Sequence, residues 1–124
     1  MAVTDLRELV SNALLSVIDN VKMSKPAGDI TLPLICYAET SNAAINIASD
    51  RVRFRVAVYA STFQELVNLA QRVDSVMAHS LGFQRTATTP DSDALIGTDL
   101  YLKRIDYTCT INKADGGYII RNSN

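Results

Sequence analysis

A chain of 124 residues that is 48% hydrophobic and 20% charged suits one globular domain, 1–124, with a modest core that association would help. Its formal net charge of −1 excludes a global basic field drawing it to nucleic acid or to a membrane surface. No apolar run approaches the ~20 residues that span a bilayer. No basic segment followed by an apolar run and a cleavage site opens the chain, so no secretory leader is expected and cytoplasmic synthesis fits.

Thr4 can cap a first helix, with Asp5 in its first turn. Leu6, Leu9, Val10, Ala13, Leu14, Val17, Ile18 and Val21 then form one apolar stripe, which predicts a helix ending near Met23. Its polar side is mixed in charge, unlike a membrane-surface helix. A turn cluster from Ser24 to Asp29, with Pro26 and Gly28, follows. Leu34 to Glu39 reads as a strand opened by Pro33. Thr40, Ser41 and Asn42 read as a turn, and Ala43 to Ala48 as a weak second strand. Ser49 and Asp50 turn into the next element. Strands joined by links this short are expected to pair antiparallel.

Arg51 to Ala60 is the clearest strand. Val52, Phe54, Val56 and Val58 share one face, and Arg51, Arg53, Arg55, Ala57 and Tyr59 share the other. Thr62 and Glu65 have capping-box spacing. Phe63, Leu66, Val67, Ala70, Val73, Val76, Met77 and Leu81 follow at helical spacing. Gly82 stands where a left-handed cap residue belongs, with Phe83 able to fold back. Gln84 to Thr98 reads as a long polar loop, a kind of segment that is usually functional or disordered. Asp99 to Lys113 predicts a final long strand, with Tyr101, Ile105, Tyr107, Cys109 and Ile111 on one face. Leu102, Arg104, Asp106, Thr108, Thr110 and Asn112 take the other. Tyr118, Ile119 and Ile120 form an apolar tail that pairs as an edge strand or docks on a partner. The order of elements predicts an α+β domain: a mostly antiparallel or mixed sheet of about four strands, with two helices packed on one face.

The residues that could carry chemistry are few. His79 is the single histidine. It falls on the polar side of the second helix near its C-terminus, where a surface imidazole is at home; catalysis would need a nucleophile or a carboxylate brought to it. Cys36 and Cys109 are too few for a disulfide scaffold and read as small buried hydrophobes. One histidine and two separated cysteines give no metal-ligand cluster. Asp91-Ser92-Asp93 begins like a calcium loop, but Ile96 stands where the turn glycine belongs. Gly116-Gly117 is followed by neither Lys-Ser nor Lys-Thr, so it is no phosphate loop. No serine sits in a nucleophile elbow. No catalytic residue, cofactor or metal is therefore expected. The Arg51, Arg53, Arg55 row stands above this background. It reads either as a ladder that meets acidic groups on another subunit or as a solvated face with arginine stems lying flat. Direct DNA binding fits less well, because aromatics are not interleaved with the row.

The segment from Arg51 to Phe83, with strand Arg51–Ala60, helix Thr62–Met77 and the Leu81-Gly82-Phe83-Gln84-Arg85 exit, resembles the tail-terminator or tail-completion proteins of long-tailed bacteriophages. The leading helix, the Pro33–Tyr37 strand and the long strand from Leu100 to Ile111 occur in the same order in that family, so the resemblance covers nearly the whole chain. It rests on hydrophobic patterns rather than on catalytic motifs. It implies a non-enzymatic virion protein at the head-proximal end of the tail. The subunit would form a homohexameric ring that caps the tail tube, ends its growth and offers a surface to the head connector or head-completion protein. DNA would pass through such a ring without sequence-specific binding. No interface residue transfers from the family. The local reading nominates the ladder and Tyr59, the loop residues Pro90, Asp91, Asp93, Leu95 and Ile96, and the tail Tyr118, Ile119 and Ile120. Rival readings are a head-completion or neck protein, a ferredoxin-like ligand-binding domain or enzyme, and a self-associating scaffold outside any phage.

Overall fold

Alternating β-branched and charged residues build the strand at the centre of the sheet. The computed structural model describes residues 2–3, 6–23, 31–46, 49–88, 101–114 and 117–121. In chain order these form β1 (Ala2–Val3), α1 (Leu6–Leu15), β2 (Val21–Met23), β3 (Leu34–Asn46), β4 (Ser49–Ala60), α2 (Phe63–Asp74), β5 (Gln84–Thr88), β6 (Tyr101–Ala114) and β7 (Gly117–Arg121). A wide π turn, Ser75–Ser80, continues α2. The strands form one seven-stranded sheet in the order β1-β7-β6-β4-β3-β2. β5 and β7 share the outer edge of β6, opposite residues 105–108 and 110–114 respectively. Among the described residues only β2 and β3 pair in parallel, and the other pairs are antiparallel. The fold is thus α+β with a mostly antiparallel sheet, as the order of elements predicts.

The apolar face of β4 is the centre of the core. Val52, Phe54, Val56 and Val58 are wholly buried. They pack with Ile105, Tyr107, Cys109 and Ile111 of β6, and with Val10 and Leu14 of α1 and Leu66, Val73 and Met77 from α2 and its π turn. Both helices therefore cover one face, which buries two apolar stripes against one sheet. Polar contacts fix their positions. The Tyr107 hydroxyl donates to Asp74 of α2 at 3.0 Å, and the Arg72 guanidinium donates to the Val17 carbonyl beyond α1 at 2.8 Å.

The start and end of α2 follow the sequence closely. The Glu65 amide donates to Thr62 Oγ1 at 3.1 Å. The Glu65 carboxylate accepts from the Ser61 amide at 3.3 Å, one residue earlier than a standard box. Gly82 has φ 78°, a conformation that costs a residue with a Cβ. That reversal lets the Phe83 amide donate to the Met77 carbonyl at 2.9 Å. The buried Phe83 ring then meets Phe54 edge to face, with centroids 5.8 Å apart. Phe63, expected in the apolar stripe, is instead 46% exposed and stacks edge-on against Tyr101, while Leu69 is buried.

Several expectations are corrected. The first helix stops at Leu15, and Val21–Met23 is a strand. Ser16, Asp19 and Asn20 offer the backbone alternatives to helix. The Asn20 side chain donates to the carbonyls of Thr31 and Pro33, and its own carbonyl accepts from the Ile35 amide. These bonds turn the chain alongside β3. The Thr4–Asp5 cap, the turn cluster 24–29, and positions 47 and 48 lie outside the described residues. Thr40 is not part of a turn but the extra residue of a bulge. The register passes from Glu39↔Phe54 to Ser41↔Arg53, and Thr40 Oγ1 donates to the Arg53 carbonyl at 3.3 Å. A long partner strand absorbs one surplus residue this way without ending the ladder. Ser49 and Asp50 belong to β4 rather than to a turn. Gln84–Thr88, expected as loop, is strand β5. Its composition is polar because it lies at the sheet margin, where alternating threonines suit an exposed strand. The terminal strand β7 is not the edge, since β1 pairs with it.

Candidate interaction face of the sheet

Alternation places Arg51, Arg53 and Arg55 on the face away from the helices, and all three are exposed. Cross-strand register sets them opposite Thr110, Thr108 and Asp106 of β6. Opposite-charge neighbours on one sheet face can pair, and Arg55 does. Its Nε donates to Asp106 Oδ1 at 2.8 Å and a terminal nitrogen donates to Oδ2 at 3.3 Å. That fork hydrogen bond, together with the Asp106 charge, holds the Arg55 pKa above its ordinary value. The three-membered ladder is therefore uneven. Arg55 is neutralised within the sheet, while the Arg51 and Arg53 side chains make no hydrogen bond or ion pair with the described residues.

Arg51 and Arg53 form one wall of a groove of about 520 Å³ whose other lining residues include Gln84, Thr86, Thr108 and Thr110. Thr108 and Thr110 fall on the polar face that the sequence predicts for β6. Gln84 and Thr86 were not legible as site residues, because their segment reads as a loop; its Thr alternation was the available signal.

Tyr59 shares the face but not the exposure. It is 8% exposed and packs with Leu34, Cys36 and Leu102 in a second, smaller cluster. A buried side chain offers no docking surface, so Tyr59 is a packing residue rather than an interface residue. Burial, then the neighbouring Cys36, pushes its phenol up, and Arg104 partly offsets this. A hollow of about 370 Å³ lies alongside, lined by residues that include Cys36, Thr40, Arg55, Tyr59 and Arg104. Its size would admit a small ligand. Its thiol is a poor nucleophile, because burial raises the Cys36 pKa despite nearby Lys22.

Pro90, Asp91, Asp93, Leu95 and Ile96 lie outside the described residues. Tyr118, Ile119 and Ile120 lie in β7, whose backbone pairs on both sides, with β6 and with β1. A different edge is left open. β2 covers β3 only opposite Ile35 to Tyr37, and among the described residues no strand pairs with the outer edge of β3 over 38–46. Ser41, Asn42 and Ala43 there are exposed. Such a row of backbone donors and acceptors is a template for pairing with another chain.

His79 is exposed. Among the described residues, no group of three His, Cys, Asp or Glu side chains could hold a metal ion, and no helix is long and apolar enough to cross a membrane. Cys36 and Cys109 are buried free thiols, as expected.

The buried acids of the core predict an alkaline limit to stability. Burial, with a smaller contribution from Glu39, pushes the Cys109 thiol up to about 12. Burial, then the charge and hydrogen bond of Asp74, pushes the Tyr107 phenol far up, with a small offset from Arg85. The unfolded chain releases these protons near the ordinary values of about 8.5 and 10. It then binds fewer protons than the folded chain, so stability is complete below about pH 8.5 and falls as pH rises above it. The slope approaches about 1.4 kcal/mol per pH unit for each such group. Thermal melts between pH 8 and 11 (roughly the span of those values) are expected to show this decline, with Cys109→Ala shallower over the lower half. A flat profile for the unmodified chain would contradict it.

No protein-family model matches the chain, and no curated protein matches it by sequence.

Proposed function

We propose that this chain is a non-enzymatic virion protein, a tail terminator of a long-tailed bacteriophage. In this reading it forms a homohexameric ring on the head-proximal end of the tail tube. The ring stops tube growth and gives the head connector a surface to join. The observation that carries the reading is the distribution of unused surface. One face of the sheet is covered by both helices across β3, β4 and β6. The other bears Arg51 and Arg53, which pair with no acidic side chain among the described residues, next to an edge of β3 that no described strand covers. A ring subunit needs two kinds of contact, one to its own copies and one to a different protein. An open strand edge suits the first through backbone hydrogen bonds. A charged face suits the second, because complementary charge fixes register and rejects wrong partners. The order of elements and the strand-to-helix unit from Arg51 to Phe83, which resemble the terminator family, support the same reading.

Electron microscopy of particles from a phage deleted for this chain tests it. Tails of uneven excess length, unattached to filled heads, are expected. Free tails of normal length beside filled heads would move the chain to the head-completion or neck step. Intact virions would remove it from the joint altogether.

A further inference from the structure

The groove beside Arg51 and Arg53 has a donor and acceptor pattern that selects its ligand. The two guanidiniums bring positive charge and only donors. Two of the three threonine hydroxyls lining the groove are committed in the opposite sense. Thr108 Oγ1 donates to the Val52 carbonyl at 3.2 Å, and Thr86 Oγ1 donates to the Asp106 carbonyl at 3.2 Å. Their protons are spent on the backbone, so both oxygens turn lone pairs toward the groove. A fitting ligand therefore carries anionic oxygens for the arginines and hydrogen-bond donors for the threonines.

The spacing narrows this further. Arg51 and Arg53 are two residues apart on one strand, roughly 6.6–6.8 Å, which is the repeat of same-face side chains on any extended segment. We propose that the groove binds an extended acidic protein segment with carboxylates at alternate positions. One carboxylate meets each guanidinium, and amide N–H groups of the segment meet the threonine oxygens. A phosphodiester strand fits less well. It offers acceptors along its backbone, which would set phosphate oxygens against the Thr86 and Thr108 oxygens with no proton between them and leave Gln84 and Thr110 as the donors beside the arginines. The chain's net charge of −1 also supplies no long-range attraction to nucleic acid. The inference stands on the groove alone and does not rest on the tail-terminator reading. A normal tail phenotype would leave it intact, and a failed titration would leave the terminator reading with the strand edge.

The test is an NMR titration of the full chain, following the Nε–Hε signals of Arg51 and Arg53. The probes are a short peptide alternating glutamate with threonine, the same peptide with glutamine for glutamate, and a short oligothymidylate. The glutamate peptide is expected to shift both signals saturably. The glutamine peptide should bind about tenfold or more weakly, since charge-assisted pairs are lost. Arg51→Gln with Arg53→Gln should weaken the glutamate peptide by a similar factor, read from backbone amides of β6, while the melting temperature stays unchanged. Absence of a saturable shift, equal binding of the glutamine peptide, or stronger binding of oligothymidylate would each overturn the proposal.

Discussion

Phe54→Ala is expected to lower stability by about 3–5 kcal/mol, the range for emptying a fully packed aromatic site. Phe54 is 0% exposed. It lies on the central strand, opposite Tyr107 on one side and Glu39 on the other, and its ring meets Phe83 at the exit of the π turn. Truncation therefore loosens both the sheet and the return of the chain from α2. A domain of this size has about 5–15 kcal/mol in hand, so a large part of its stability rests on one side chain. The melting temperature should fall by roughly 10–20 °C, at the usual several degrees per kcal/mol. Phe63→Ala is the matched control, because that ring is 46% exposed and its loss should cost well under about 1 kcal/mol beyond the edge contact with Tyr101. Equal losses for the two variants would mean that the core is not centred on β4.

Under the tail-terminator proposal, Arg53→Glu with Arg55→Glu is expected to leave a folded chain that fails to cap tail tubes. Both side chains are exposed. The Arg55–Asp106 pair lies at the surface, with side chains 51% and 33% exposed, and such pairs contribute about 0–1 kcal/mol. Placing Glu beside Asp106 adds a mild repulsion of the same order. The melting temperature should thus move little. Assembly should suffer far more, because like charges meeting across an interface cost several kcal/mol, or orders of magnitude in affinity. A phage lacking the chain and supplied with this variant should make overlong tails. Full rescue of tail length by the variant would take the arginine row out of the tube contact.

Local rules carried the sequence a long way where a segment's partner did not matter. β4 and α2 were legible because alternation, a hydroxyl cap and a glycine exit all specify the same unit. The end of α1 was not, because the Asn20 bonds to Thr31 and Pro33 that divert the chain are made over 11 and 13 residues. The Thr40 bulge and the strand character of Gln84–Thr88 likewise depend on β4 and β6 as partners. The candidate site divides the same way. Alternation assigns Arg51, Arg53, Arg55 and Tyr59 to one face. Neutralisation of Arg55 needs the β4–β6 register, and burial of Tyr59 needs Leu34 and Leu102 beside it. Periodicity tells which way a side chain points, but not what waits there.

The most direct measurement is the tail-length distribution, by electron microscopy, of particles made by a phage whose copy of this chain is deleted. A broad distribution reaching well beyond the normal length, restored to one sharp length by the intact chain, is expected. A sharp distribution at normal length without the chain would contradict a terminator role.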